Sequence, residues 1–137
     1  MKKPRRPPAK LERVLERTAQ DTLSLLGLRG ASAEVSVLPD ATMRELKKRF
    51  LGREKFADVL AFPETENFPV PEGANRSLGE VYLNSSFVRE PERLRFLLVH
   101  GLLHLLGYHH EKRRDMITMQ RVEREICSAI GVRSAVW

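Results

Sequence analysis

The sequence predicts an α+β domain, a small mixed sheet packed with helices, in which one buried central helix carries histidines. Three observations predict it. The chain has 137 residues, 42% hydrophobic and 31% charged, enough for one domain with a real core. Stretches of helical periodicity alternate with short strand-like runs closed by proline or glycine. Leu94, Leu97, Leu98, Leu102, Leu105 and Leu106 make one helix apolar nearly all round, as a helix packed on several sides must be.

The elements follow in order. Residues 1–10 form a basic, proline-rich tail expected to be disordered, and residues 11–137 one domain. Leu11, Val14, Leu15, Leu25 and Leu26 recur at helical spacing from Lys10 to Leu26, with Gly27 as a C-terminal cap. Val35 and Val37 alternate with Glu34 and Ser36 in a strand broken by Pro39, and Asp40 can cap a helix running to about Phe50. Val59 to Phe62 is a short strand closed by Pro63. Glu64 to Arg76 is a loop, and Gly79 to Leu83 another strand. Pro91 stands in the first turn of the leucine-rich helix. The last helix turns Met116, Met119, Val122, Ile126 and Ile130 inward.

Charge and cysteine usage narrow the function classes. The net charge is +6, with Lys2, Lys3, Arg5, Arg6 and Lys10 in the tail and Arg44, Lys47, Lys48, Arg49, Arg53 and Lys55 in a second cluster. Clusters of this kind suit a polyanion such as a phosphate backbone, the alternative being a solvated face. Lys47, Lys48, Arg49 and Arg53 are the candidate residues for binding such a backbone. The one cysteine, Cys127, excludes an internal disulfide and reads as a core residue. Phe96 to Gly107, the longest apolar run, is too short to span a bilayer, and the tail lacks the apolar core of a secretory signal, so a cytoplasmic protein without membrane partners is expected.

All four histidines, His100, His104, His109 and His110, fall within HGLLHLLGYHH. On a helix His100 and His104 lie about 40° apart around the axis and roughly 6 Å apart along it, so both rings can meet one metal ion. His110 would point away if the helix continued. Gly107 permits a left-handed exit, and the chain can then return His110 as a third ligand. Three histidines leave a fourth position on zinc for water, whose pKa can fall to about 7, and leave the +2 charge open to an anionic substrate such as a phosphodiester. Histidine sites also accept nickel, copper or cobalt. The competing readings are hydrogen-bonded core histidines or a purely structural metal. The spacing is that of HExxHxxGxxH metalloproteases, but Gly101 stands where their general-base glutamate belongs, which argues against peptide hydrolysis. Glu111 is a nearby proton-handling candidate.

HGLLHLLGYHH, FADVLAFP at Phe56 to Pro63 and LGEVYLN at Leu78 to Asn84 together resemble the YbeY family of bacterial endoribonucleases, the rRNA maturation factors. The similarity runs from the Val35 strand to the last helix, about three quarters of the chain. It implies a zinc-dependent, single-strand-specific endoribonuclease on an α+β fold, with one zinc ion per chain at His100, His104 and His110. It also implies a role in maturing the 3′ end of small-subunit ribosomal RNA and in ribosome quality control. The implied partners are ribosomal RNA and the small subunit, with ribosomal proteins or assembly GTPases as further ones. The chain departs from the family pattern at His109, which replaces an aspartate, and at Leu51, where the family carries an arginine expected to contact substrate phosphate. Ala57, Ala61 and Glu80 replace threonine, serine and aspartate. The alternative function is a non-catalytic RNA-binding ribosome-assembly factor with a structural metal.

Overall fold

Pro8 stands just outside the first helix with φ −52° and ψ 140°, and its carbonyl accepts the Glu12 N–H at 3.1 Å, opening helix α1 (Ala9–Leu25). Ala9 and Lys10 therefore belong to the helix and not to the tail, because a helix's first turn needs no intrahelical acceptors for its own N–H groups. The computed structural model describes residues 7–52, 56–64, 76–108 and 112–133; the tail residues Met1 to Arg6 and most of the expected loop after Glu64 lie outside them. The buried face of α1 is Leu11, Leu15, Thr18, Ala19, Thr22 and Leu23. Leu25, expected on that face, is exposed. Thr18 and Thr22 can take its place because their hydroxyls donate to the carbonyls of Val14 and Thr18 at 2.8 and 2.7 Å, leaving methyl groups to pack.

The remaining elements are β1 (Ala31–Leu38), α2 (Asp40–Leu51), β2 (Val59–Pro63), β3 (Arg76–Asn84), a 3₁₀ turn at Ser85–Phe87, α3 (Pro91–Leu105) and α4 (Arg113–Ile130). The sheet runs β1-β3-β2, with β1 parallel and β2 antiparallel to the central β3. This is the small mixed sheet with helices that the sequence predicts.

Strand alternation sorts the core into layers. Val59, Ala61, Val81, Leu83, Val35 and Val37 face α1 and α3, where they meet Leu11, Leu15, Leu94, Leu98 and Leu102. The opposite strand positions, Leu60, Phe62 and Tyr82, meet Met43 and Leu46 of α2. On the far side of α3, Val99 and Leu103 pack against Met119, Ile126 and Cys127 of α4. Helix α3 is thus enclosed between the sheet and α4, as its leucine pattern predicts. Met116 departs from the expected inner face of α4 and is exposed, the buried face starting at Met119. No helix among the described residues is long and apolar enough to cross a membrane.

Two polar ties fix the layers. Asn84, fully buried at the end of β3, donates to Asp40 Oδ1 at 2.9 Å and to the Ala57 carbonyl at 3.0 Å, and its own Oδ1 accepts the Ser86 N–H at 2.9 Å. It caps the 3₁₀ turn and pins the start of α2, where Asp40 is a helical residue whose carboxylate is taken by Arg44 and Asn84 and not by a capping bond. Arg95 of α3 donates to Thr18 Oγ1 at 3.0 Å and to Glu92 Oε1 at 2.9 Å, joining α3 to α1.

Candidate metal centre

Helix α3 buries two sectors of its circumference, one against the sheet and α1 and one against α4. His100 and His104 occupy the sector between them, one turn apart. Their Nε2 atoms lie 3.0 Å apart, with ring centroids separated by 4.6 Å. Two nitrogens each about 2.0–2.1 Å from a tetrahedral zinc ion would be roughly 3.3 Å apart, so the pair is aimed at a common point within a few tenths of an ångström.

The sequence reading missed the residue that orients this pair. Glu123, buried on α4, has Oε1 2.9 Å from His100 Nδ1; side-chain exposure is 6% for the glutamate and 24% for the histidine. With the Nδ1 proton donated to this carboxylate, the His100 Nε2 lone pair points to His104, the tautomer a metal ligand needs. A signal was present. Glu123 falls on the apolar stripe with Met119 and Ile126, where a carboxylate requires a partner.

Gly101 adjoins the pair and explains its own identity. A Cβ there would come within 2.7 Å of Val81 Cγ1 and 3.2 Å of Val59 Cγ2. The position that holds a general-base glutamate in the metalloproteases is here pressed against the sheet, so no acidic side chain fits it. At the helix end Gly107 takes φ 96°, as the sequence predicts, and the Tyr108 N–H donates to the Leu103 carbonyl at 3.0 Å. The chain leaves the helix at this point. His109, His110 and Glu111 lie outside the described residues, and among the described residues no group of three His, Cys, Asp or Glu side chains is placed to hold a metal ion. The two described imidazoles nevertheless suit zinc in donor type, spacing and orienting carboxylate.

The basic cluster is elsewhere. Lys47, Lys48 and Arg49 sit on α2, across the sheet from α3, and Arg53 lies outside the described residues. Arg44 pairs with Asp40 at 2.8 Å, and Leu51, in the place of the family arginine, is exposed. Ala57 and Ala61 both serve as packing residues, one on each face of the sheet. Glu80 accepts the Tyr82 hydroxyl proton at 2.6 Å; burial first and this carboxylate second push the phenol up to about 12. Cys127 is buried in the α3–α4 core.

The family described as Endoribonuclease YbeY matches residues 2–131. The chain is 34% identical over 112 residues to the Endoribonuclease YbeY of Rhodopseudomonas palustris, covering 75% of this chain and 59% of that protein. It is 37% identical over 111 residues to that of a Chelativorans species, covering 74% and 68%, and 32% identical over 131 residues to that of a Sulfurovum species, covering 89% and 84%. In fold it is similar to the solution structure of TM1509 from Thermotoga maritima, with a TM-score of 0.52 and 22% identity over 90% of this chain and 85% of that one.

Proposed function

Since the chain belongs to the Endoribonuclease YbeY family, metal-dependent hydrolases that act on RNA, we propose that it is a zinc-dependent endoribonuclease that cuts unpaired ribosomal RNA. The observation that carries this reading is the convergence of the His100 and His104 Nε2 atoms at 3.0 Å beside the buried Glu123. His100, His104 and His110 would hold one zinc ion. When bound, the ion supplies Lewis-acid polarisation of a phosphoryl oxygen and a nucleophile at neutral pH.

The chain's own residues do the rest. Glu123 holds the His100 ring in the tautomer that leaves Nε2 free to ligate. Gly107 ends the helix in the left-handed conformation, and His110 beyond it is the third ligand of this reading. Gly101 removes the peptidase base and lets α3 lie close on Val81 and Val59. Lys47, Lys48, Arg49 and Arg53 are the residues proposed to hold the phosphate backbone, with affinity falling as salt rises. The cellular role proposed is maturation of the small-subunit rRNA 3′ end and ribosome quality control, in the cytoplasm, in company with the small subunit and its proteins or assembly GTPases.

The test is cleavage of end-labelled single-stranded and duplex RNA by protein of known metal content, with His104→Ala prepared identically. Metal-dependent cutting of the single strand, absent from the variant, supports the reading. RNA bound but uncut by folded, zinc-loaded protein would replace it with the non-catalytic assembly factor.

A further inference from the structure

The β2 edge of the sheet exposes aromatic rings among cations. Phe50 at the end of α2 is 60% exposed and Phe56, just before β2, is 45% exposed. Both would be expected inside on hydrophobicity alone. Each instead carries a guanidinium over its ring: Arg49 Cζ lies 5.8 Å from the Phe50 centroid and Arg44 Cζ 5.8 Å from that of Phe56. Lys47 Nζ reaches the Phe56 carbonyl at 3.5 Å. Neither ring is loose. Phe50 meets Phe62 edge-on at 5.4 Å between centroids, and Phe56 meets Phe87 edge-on at 5.9 Å, so each is buttressed from one side.

Exposed, buttressed rings interleaved with cations are what a sequence-tolerant single-strand site needs. Bases stack on the rings while the cations hold the phosphates. A duplex has its base faces already stacked and gains nothing from the rings. The position also fits. Phe56 is three residues before Val59, at most about 10–11 Å of extended chain, and Val59 packs on Gly101 next to His100. Among the described residues β2 pairs on one side, with β3, so the path from the rings to the histidines runs around the other edge of that strand.

We infer that Phe50 and Phe56, with Arg44, Lys47 and Arg49, form a base-stacking platform for unpaired RNA, and that the rings supply the preference for single strands. This rests on the RNA-cleaving function proposed above. In contrast to the phosphate contacts, the rings discriminate by strandedness and not by charge.

The experiment measures binding of full-length protein to a labelled single-stranded oligoribonucleotide, to an abasic oligomer of equal length and charge, and to a duplex. Phe50→Leu and Phe56→Leu keep apolar bulk and remove the ring; Phe50→Trp and Phe56→Trp keep a ring. Each leucine variant is expected to bind the single strand about 5- to 100-fold more weakly, with the abasic oligomer and the salt dependence unchanged, and each tryptophan variant to bind like the parent. Equal affinity of the parent for base-bearing and abasic oligomers overturns the platform while leaving RNA binding in place, and would mark the patch as a protein-docking surface. No binding to any of the three removes the RNA reading and the platform together.

Discussion

Glu123 on α4 meets His100 on α3 through a 2.9 Å contact between Oε1 and Nδ1, across 23 residues of sequence. The contact decides which imidazole nitrogen carries the proton. It joins two helices that also pack through the apolar side chains of Val99, Leu103, Met119 and Cys127.

Removing this carboxylate should weaken metal binding without removing a ligand. Glu123→Ala is expected to lower zinc affinity about 10- to 100-fold, the usual cost of losing an orienting partner, and Glu123→Gln, which keeps an acceptor, to lower it less. Competition against a chromophoric chelator measures both. Parental affinity in the alanine variant would show that His100 is oriented by something else.

Gly101→Ala should destabilise the fold although alanine favours helices. Overpacking costs about 1–3 kcal/mol and alanine regains roughly 1 kcal/mol of helix propensity, for a net loss of up to about 2 kcal/mol. The added methyl meets Val81 Cγ1 at 2.7 Å, so Val81→Ala in the same chain should recover part of the loss. Urea unfolding of the two single variants and the double variant gives the coupling; strict additivity would rule the clash out.

Asn84→Ala should lose about 3 kcal/mol, three hydrogen bonds at roughly 1 kcal/mol each, since its side chain bonds Asp40, Ala57 and Ser86. The same cluster gives stability a pH dependence. The hydrogen bond from Arg44, then that from Asn84, holds the Asp40 carboxyl below its ordinary 3.8. A carboxyl with a depressed folded-state pKa contributes fully above its unfolded value and loses that contribution as pH falls through the folded one. The difference in stability between parent and Asp40→Asn should therefore be constant above about pH 4–5 and shrink below it, as read from acid-to-neutral urea series. A difference that grows on acidification would reverse the sign.

Cys127 should be inert in the native state. Burial first, and the nearby Glu123 charge second, push its thiol up to about 11. An aromatic disulfide reagent at pH 8 is expected to leave it unmodified until denaturant is added, after which one thiol per chain reacts. Rapid native labelling would mean that the α3–α4 core opens readily.

What the sequence determined by itself is local. The one-turn spacing of His100 and His104, the helix exit at Gly107, the proline-closed strands and the leucine pattern of α3 are set by residues within a turn or a strand of one another, and backbone geometry translates them directly. The same locality misassigned Leu25 and Met116, because helical spacing shows that a face exists but not where packing begins and ends. Thr18 and Thr22 join the core only because their hydroxyls satisfy α1's own carbonyls, which polarity alone conceals. Tertiary structure decided the rest of the site. Glu123 reaches His100 only once α4 folds over α3, and the reason for Gly101 appears only when Val59 and Val81, from two different strands, close on it. The cations of the rim are legible as a cluster in the sequence, but that Phe50 and Phe56 stand exposed among them is decided by packing, which leaves their outer faces uncovered. These relationships depend on which distant surfaces are pressed together, and no periodicity along the chain encodes that.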